Sequence, residues 1–159
     1  MKVIFLDVDG VLNSHKYFAK TDVEEIGIYT NLDKTKLGLL KKIIRKTKAK
    51  IVLSSSWRLS FDDNLIPDDY LGQSLISALK NEGLAIFGKT DDLQNDRYYE
   101  IKDWLQKHAN VNDFVILDDD DFNWKDLHSQ WIKTSYYIGL TKDIAEKTIK
   151  KLNTGTTNR

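Results

Sequence analysis

Near the start of the chain, a short apolar run ends abruptly in two acids and a glycine, within the sequence VIFLDVDGVL at positions 3–12. An apolar run of this length with a polar boundary is typical of a buried β-strand. Because open α/β sheets bind ligands at the carboxyl ends of their strands, we expect Asp7 and Asp9 at such an edge. Gly10 lets the backbone turn there and approach a ligand closely, which makes it a candidate substrate-binding residue.

The two acids favour phosphoryl-transfer chemistry. Carboxylates two residues apart repel each other unless a cation lies between them, and oxygen ligands suit a hard ion such as Mg²⁺. An aspartate can also attack phosphorus and form a covalent intermediate. The sequence therefore predicts a Mg²⁺-dependent site at Asp7 and Asp9, with an ordinary acidic turn after a strand as the alternative.

Short apolar runs alternate with helical patterns along the chain, which predicts βαβ units around a mostly parallel sheet. The predicted strands cover residues 2–6, 50–53, 84–87, 114–117 and 131–138. The predicted helices cover about 33–46, 69–81 and 96–108, with a last helix after Gly139. We expect an α/β fold with three layers, Rossmann-like, in which a five-stranded sheet carries helices on both faces. Residues 1–152 are predicted to form a single domain, and residues 153–159 a flexible tail.

Composition narrows the chemistry that such a fold can carry. The 159 residues include no cysteine, which excludes disulfides, thiolate zinc sites and cysteine nucleophiles, so carboxylates must hold any metal. The 24 basic and 24 acidic residues cancel, so no overall field directs the chain to nucleic acid or anionic lipid. We found neither an apolar run long enough to span a membrane nor a signal-peptide pattern, and we expect a cytoplasmic protein. A basic segment at 34–50 is interpreted as a solvated helix face, with a nucleic-acid contact as the alternative.

In a parallel sheet, residues that follow different strands meet at one edge. The serines after Leu53 and the aspartates Asp118 to Asp121 after Leu117 should therefore lie near Asp7. A second group of carboxylates would increase the repulsion at this edge, which a divalent cation relieves.

Four segments in this order, DVDGVLN, IVLSSSWR, RYYEIKDWL and VILDDDD followed by IGLT, resemble the motifs of the haloacid dehalogenase-like (HAD) phosphohydrolase family. The resemblance extends from residue 2 to about residue 140, and is greatest to the compact, cap-less HAD domains of RNA-repair proteins. It implies that Asp7 is the nucleophile that forms an aspartyl-phosphate, and that Asp9 acts first as general acid and then as general base. It also implies that Mg²⁺ is bound by Asp7, by the main-chain carbonyl of Asp9 and by Asp119, with Asp118 as a supporting ligand.

The second and third motifs each leave alternatives open. Ser55 is the predicted hydroxyl that binds the phosphate, with Ser54 and Ser56 as alternatives. Arg97 is the predicted motif-three cation, because it begins the helix before the fourth strand and shares a face with Ile101 at 100° per residue. The alternatives to Arg97 are Lys102 and Lys89.

Two residues of the second motif have candidate roles of their own. Arg58 could bind a substrate phosphate or carboxylate through its guanidinium, or could lie on the surface. Trp57 could stack on a base, although a place in the core is favoured.

The segment at 13–30 can form a flap and the loop at 59–69 can form a lip, but neither is long enough for a separate cap domain. The resemblance therefore implies a minimal cap and an edge open to large phosphorylated substrates, such as polynucleotide ends. A small-molecule phosphatase or nucleotidase is the main alternative, and a non-catalytic domain that binds metal or phosphate is another. The sequence predicts neither the natural substrate nor the oligomeric state.

Overall fold

The computed structural model describes residues 1–20 and 31–155 of the chain, apart from the side chain of Lys20. Its centre is a sheet of five strands in the order β3-β2-β1-β4-β5, in which every neighbouring pair is parallel. The strands are β1 (Lys2–Leu6), β2 (Lys50–Leu53), β3 (Ile86–Lys89), β4 (Asp113–Asp118) and β5 (Trp131–Lys133). The predicted Rossmann-like α/β fold with a five-stranded sheet is therefore confirmed.

Helices connect the strands. They are α1 (His15–Lys20), α2 (Lys34–Thr47), α3 (Tyr70–Asn81), α4 (Arg97–Lys107) and α5 (Lys142–Thr154). Two 3₁₀ helices, Ser56–Ser60 and Lys125–Gln130, follow β2 and precede β5. Each helix from α2 to α5 begins after a residue whose side chain accepts a hydrogen bond from a first-turn amide, as an N-cap does. These caps are Asp33, Asp69, Asp96 and Thr141.

The alternation of side chains along the strands divides the core into two layers. Ile4 and Leu6 belong to one apolar cluster with Leu40 of α2 and Leu75 of α3, and α5 contributes to the same cluster. Phe5 belongs to a second cluster on the other face, with residues of α4 and of the second 3₁₀ helix. The sheet therefore lies between two helical layers, as predicted.

Two strands differ most from their predicted ranges. Strand β3 covers Ile86–Lys89 rather than residues 84–87, because the Leu84 amide bonds to the Leu79 carbonyl and completes the end of α3. Strand β5 ends at Lys133 rather than residue 138. Beyond it the chain turns at Gly139, where φ is +73°, and bonds to the segment after β1.

The predicted flap at 13–30 and the tail at 153–159 lie in part outside the described residues. In the described part of the flap the chain forms α1, and in the tail α5 continues to Thr154. After β2, the loop at 61–67 is closed by an antiparallel bridge between Phe61 and Pro67. None of the helices in the described ranges combines the length and apolarity that a membrane span requires.

Candidate active site

The register of the three central strands assembles the site. Leu6 of β1 is aligned with Leu53 of β2 and with Leu117 of β4, so the residues that follow leave the sheet side by side. The Asp7 amide donates to the Leu117 carbonyl over 3.0 Å, and the Ser54 amide donates to the Leu6 carbonyl over 2.9 Å. The first, second and fourth motifs therefore meet at one edge of the sheet.

Three carboxylates converge at this edge. Asp7, Asp118 and Asp119 each present an oxygen, and these oxygens lie within 4.8 Å of one another. Asp7 and Asp118 are buried, and Asp119 is half-buried. Such a set of oxygen atoms fits a hard divalent ion such as Mg²⁺.

Burial controls the protonation of these acids. It raises the pKa of Asp7, although Arg97 and a hydrogen bond from Ser55 act in the opposite direction. The pKa of Asp118 is raised by burial and then by the negative charge of Asp7, and burial also raises the pKa of Asp119. A bound cation would favour the ionised forms of all three acids.

Gly10 lies directly against this cluster. Its φ is +74°, and a Cβ atom built on it would lie 2.5 Å from both Cγ and Oδ2 of Asp119. A side chain at position 10 would therefore displace the Asp119 carboxylate.

Arg97 is the candidate motif-three cation that contacts the cluster. Its Nη1 atom lies 3.4 Å from Oδ1 of Asp7 and 3.1 Å from Oδ2 of Asp118. The two alternatives bond elsewhere, since Lys102 pairs with Asp126 and Lys89 donates to the Phe61 carbonyl. The geometry supports Arg97 over Lys102 and Lys89.

The three serines after β2 differ in their surroundings. Ser55 is fully buried, its hydrogen bond lowers the pKa of Asp7, and its Oγ atom accepts from the Trp57 amide. Ser56 is exposed. The buried Oγ atom of Ser54 has no hydrogen-bond partner within the described part of the chain. Ser55 is thus the serine bonded to the predicted nucleophile.

The carboxylate of Asp9 is held by two donors. Nδ2 of Asn13 donates to its Oδ1 atom over 2.7 Å, and Nε1 of Trp57 donates to its Oδ2 atom over 3.0 Å. Asn13 is oriented in turn, because its Oδ1 atom accepts from the Gly10 amide over 3.0 Å. Sequence reasoning missed both donors. The sequence favours a place in the core for Trp57, and Trp57 is indeed buried, but burial alone does not reveal the contact of its indole N–H.

Arg58 faces the interior rather than the substrate edge. Its side chain is buried, Nη2 lies 2.7 Å from Oε1 of Glu100 on α4, and Nη1 donates to the Ser55 carbonyl over 3.0 Å. A further contact of 3.3 Å joins Nη2 to Asp92. These contacts favour a structural role for Arg58 over the predicted contact with substrate. Glu100, which is also buried, was not predicted to take part.

The last two aspartates of the tetrad lie outside the cluster. Asp120 and Asp121 are exposed, and the side chains of both bond to main-chain amides of the same turn. Of the four aspartates expected near Asp7, only Asp118 and Asp119 therefore belong to the carboxylate cluster.

Comparison with known proteins agrees with this geometry. Residues 3–145 match the model of a family described as the HAD domain in Swiss Army Knife RNA repair proteins. A search of curated proteins found no match. The match includes all four motifs and every strand except the first residue of β1. The chain therefore belongs to this family, and is in general terms a HAD-type phosphohydrolase domain.

Proposed function

We propose that the chain is a Mg²⁺-dependent phosphatase that acts through an aspartyl-phosphate on Asp7, and that its substrates are phosphorylated polynucleotide ends. The observation that carries the proposal is the contact of one cation, Arg97, with two buried carboxylates, Asp7 and Asp118. Asp9, two residues after Asp7, is itself held in place by a hydrogen bond from Trp57.

The residues divide the chemistry between them. Asp7 attacks phosphorus, the bond from phosphorus to the leaving oxygen breaks, and the carboxylic acid of Asp9 donates its proton to that oxygen. The Asp9 carboxylate then takes a proton from water, whose oxygen attacks phosphorus. The bond from phosphorus to Asp7 breaks, and inorganic phosphate is released. Ser55 and Arg97, as the hydrogen-bond and cationic partners of Asp7, would bind the phosphoryl oxygens during both steps.

Asp7, Asp119 and the main-chain carbonyl of Asp9 would hold Mg²⁺, with Asp118 beside them. When bound, the ion would neutralise charge on the transferred phosphoryl group. The hard oxygen donors and the space that Gly10 leaves beside Asp119 both fit this assignment.

Two observations support polynucleotide ends as substrates. The matched family is described by its place in RNA repair proteins. In addition, the described parts of the segments after β1 and β2 contain only short elements, and no large insertion covers the catalytic edge within those parts.

The test of the mechanism is hydrolysis of an aryl phosphate, with and without Mg²⁺, by the native chain and by Asp7→Asn. Asp7→Asn removes the nucleophile with little change in shape, so we expect turnover to fall by about a thousandfold or more. Asp121→Asn is the matched control, because it removes an exposed acid of the tetrad, and it should retain native turnover. Acid-quenched reactions should contain phosphorylated protein for the native chain and none for Asp7→Asn. Metal-dependent turnover that survives in Asp7→Asn would overturn the mechanism.

The substrate class is tested by comparing 3′- and 5′-phosphorylated oligonucleotides with nucleoside monophosphates. We expect a higher kcat/KM for an oligonucleotide. Equal or faster hydrolysis of the monophosphates would instead support a small-molecule phosphatase or nucleotidase.

A further inference from the structure

Three exposed aromatic side chains lie together beside the catalytic edge. Tyr136 and Tyr137 follow β5, which pairs with β4, the strand that ends at Asp118. His15 lies two residues after Asn13, whose side chain donates a hydrogen bond to Asp9. Tyr136 is 52% exposed and Tyr137 is 66% exposed. We call His15, Tyr136 and Tyr137 the aromatic platform.

The three rings contact one another. The His15 ring is stacked on that of Tyr136 with centroids 6.2 Å apart, and it meets the Tyr137 ring edge-on at 5.5 Å. The two tyrosine rings are 5.9 Å apart, also edge-on. Together they form one exposed aromatic patch, and exposed aromatic rings are the kind of surface on which a nucleic-acid base stacks.

The platform is attached to the catalytic loop by its backbone. The His15 amide donates to the Tyr136 carbonyl, and the Lys16 amide to the Tyr137 carbonyl, each over 3.0 Å. Three residues further on, the Leu140 amide donates to the Val11 carbonyl over 2.9 Å. Val11 lies two residues from Asp9, so these bonds fix the position of the platform relative to the reacting group.

Positive charge lies next to the platform. Lys16 adjoins His15, and Cε of Lys36 lies 3.4 Å from a Cβ atom built at Gly139, in the same loop as the tyrosines. Burial lowers the pKa of Lys36, the carboxylate of Asp33 acts against this, and the charge of Lys16 adds a smaller lowering effect. A phosphate group beside the loop would be attracted by both ammonium groups.

A second pair of tyrosines, Tyr98 and Tyr99 near the start of α4, is covered by a lysine side chain. Nζ of Lys125 lies 4.4 Å from the ring centroid of Tyr98 and 4.6 Å from that of Tyr99. In the described part of the chain no cation covers the rings of Tyr136 and Tyr137 in this way. As far as the described residues are concerned, the rings of Tyr136 and Tyr137 are therefore open to a ligand, whereas the ring faces of Tyr98 and Tyr99 bind a lysine of the chain itself.

We propose that the aromatic platform stacks on a base of a single-stranded polynucleotide whose phosphorylated end lies at Asp7, and that Lys16 and Lys36 bind its backbone phosphates. The proposal rests on the proposed function for the position of that end. Stacking on aromatic side chains tolerates any base, because every base has a π face. The platform would therefore increase affinity for polynucleotides without selecting a sequence.

The test compares two phosphorylated oligonucleotides that differ only in whether the nucleotides near the phosphate carry bases or are abasic. For the native chain we expect kcat/KM to be about tenfold or more higher with bases, given the usual contribution of one stacked base. In the double variant Tyr136→Ala/Tyr137→Ala this ratio should fall towards one. The double variant Tyr136→Phe/Tyr137→Phe keeps the rings and should retain the ratio.

Tyr99→Ala is the matched control. Tyr99 is also an exposed tyrosine, at 53%, but its ring is covered by Lys125. The ratio should therefore be unchanged in Tyr99→Ala. An equal loss in Tyr99→Ala, or a ratio that survives in Tyr136→Ala/Tyr137→Ala, would overturn the assignment to the platform.

A binding measurement separates this proposal from the proposed function. Fluorescence anisotropy with a labelled, unphosphorylated single-stranded oligonucleotide needs no turnover. If the native chain hydrolyses no phosphate ester but binds the oligonucleotide about tenfold more tightly than Tyr136→Ala/Tyr137→Ala does, the proposed function fails and the platform stands. If Asp7-dependent hydrolysis is observed but neither the ratio nor the binding depends on the two tyrosines, the proposed function stands and the platform is overturned.

Discussion

Among single residues, Asp9 has the most demanding proposed role, because it must first donate a proton and then accept one from the same position. The indole N–H of Trp57 and the amide of Asn13 fix where its carboxylate lies. We predict that Trp57→Phe lowers kcat by about tenfold, since a hydrogen bond to a charged group contributes about 1.5–3 kcal/mol. The measurement is kcat for an aryl phosphate at saturating Mg²⁺.

Trp124 provides the control for lost packing. It is buried like Trp57, but its Nε1 atom has no hydrogen-bond partner in the described part of the chain. Trp124→Phe makes the same change in side-chain volume without removing a hydrogen bond, and should leave kcat near the native value. Equal losses of kcat in the two variants would assign the effect to packing rather than to the hydrogen bond.

Gly10 allows a second prediction for a single residue. Gly10→Ala should weaken Mg²⁺ binding by about tenfold or more, because its Cβ atom would displace the Asp119 carboxylate and metal affinity is sensitive to such changes. Gly83→Ala is the control, since Gly83 has nearly the same φ, +72°, but open space around it. Both variants should lose stability, whereas only Gly10→Ala should require more Mg²⁺ for half-maximal activity. Unchanged Mg²⁺ dependence in Gly10→Ala would remove Asp119 from the metal site.

Between elements, the ion pair of Arg58 with Glu100 joins the 3₁₀ helix after β2 to α4. It therefore connects the turn that carries Ser55 with the helix that carries Arg97. We predict that Glu100→Gln destabilises the fold by about 3 kcal/mol, because it removes the buried negative charge closest to Arg58 and leaves only the longer contact with Asp92. Asp126→Asn breaks the exposed pair with Lys102 and should change stability little. Urea unfolding measures both, and equal midpoints for the two variants would contradict the prediction.

The sequence predicted those parts of the site that depend on periodicity and strand order. The apolar runs gave the ends of β1 and β2, and strand order brought Asp7, Asp118 and Asp119 together. The sequence did not predict contacts made by the ends of side chains, such as the hydrogen bond from the Trp57 indole to Asp9 or the ion pair of Glu100 with Arg58. Such contacts depend on the rotamers and loop paths of segments distant in sequence, on which periodicity carries no information.

The lack of information on tertiary contacts also explains why the predicted end of β5 was wrong. Residues 131–138 have the composition of a strand, but tertiary contacts decide where it ends. Gly139 turns the chain with a positive φ, and the Leu140 amide then bonds to the loop after β1. Tertiary structure overrode local propensity here, as it commonly does in strands.

For the whole molecule, the buried acids link stability to pH. The pKa of Asp118 is raised from 3.8 to about 8 by burial, the charge of Asp7 and other neighbours, and burial also raises that of Asp7. Without metal, the folded state therefore binds more protons than the unfolded state between about pH 4 and pH 8. Stability should fall as pH rises through this window. We expect the melting temperature in EDTA to drop by a few degrees from pH 5 to pH 8, since about 1 kcal/mol corresponds to 2–4 °C for a chain of this size.

Mg²⁺ should reverse this trend, because it binds ionised carboxylates and its binding competes with their protonation. The increase in melting temperature on adding Mg²⁺ should therefore be larger at pH 8 than at pH 5. Asp118→Asn removes the acid with the highest pKa of the cluster, so its melting temperature in EDTA should depend less on pH than that of the native chain. Asp121→Asn, which alters an exposed acid of the same turn, should retain the native pH dependence. A native chain whose stability in EDTA rises from pH 5 to pH 8 would contradict the raised pKa values of Asp7 and Asp118. Equal stabilisation by Mg²⁺ at both pH values would contradict a metal site built on these carboxylates.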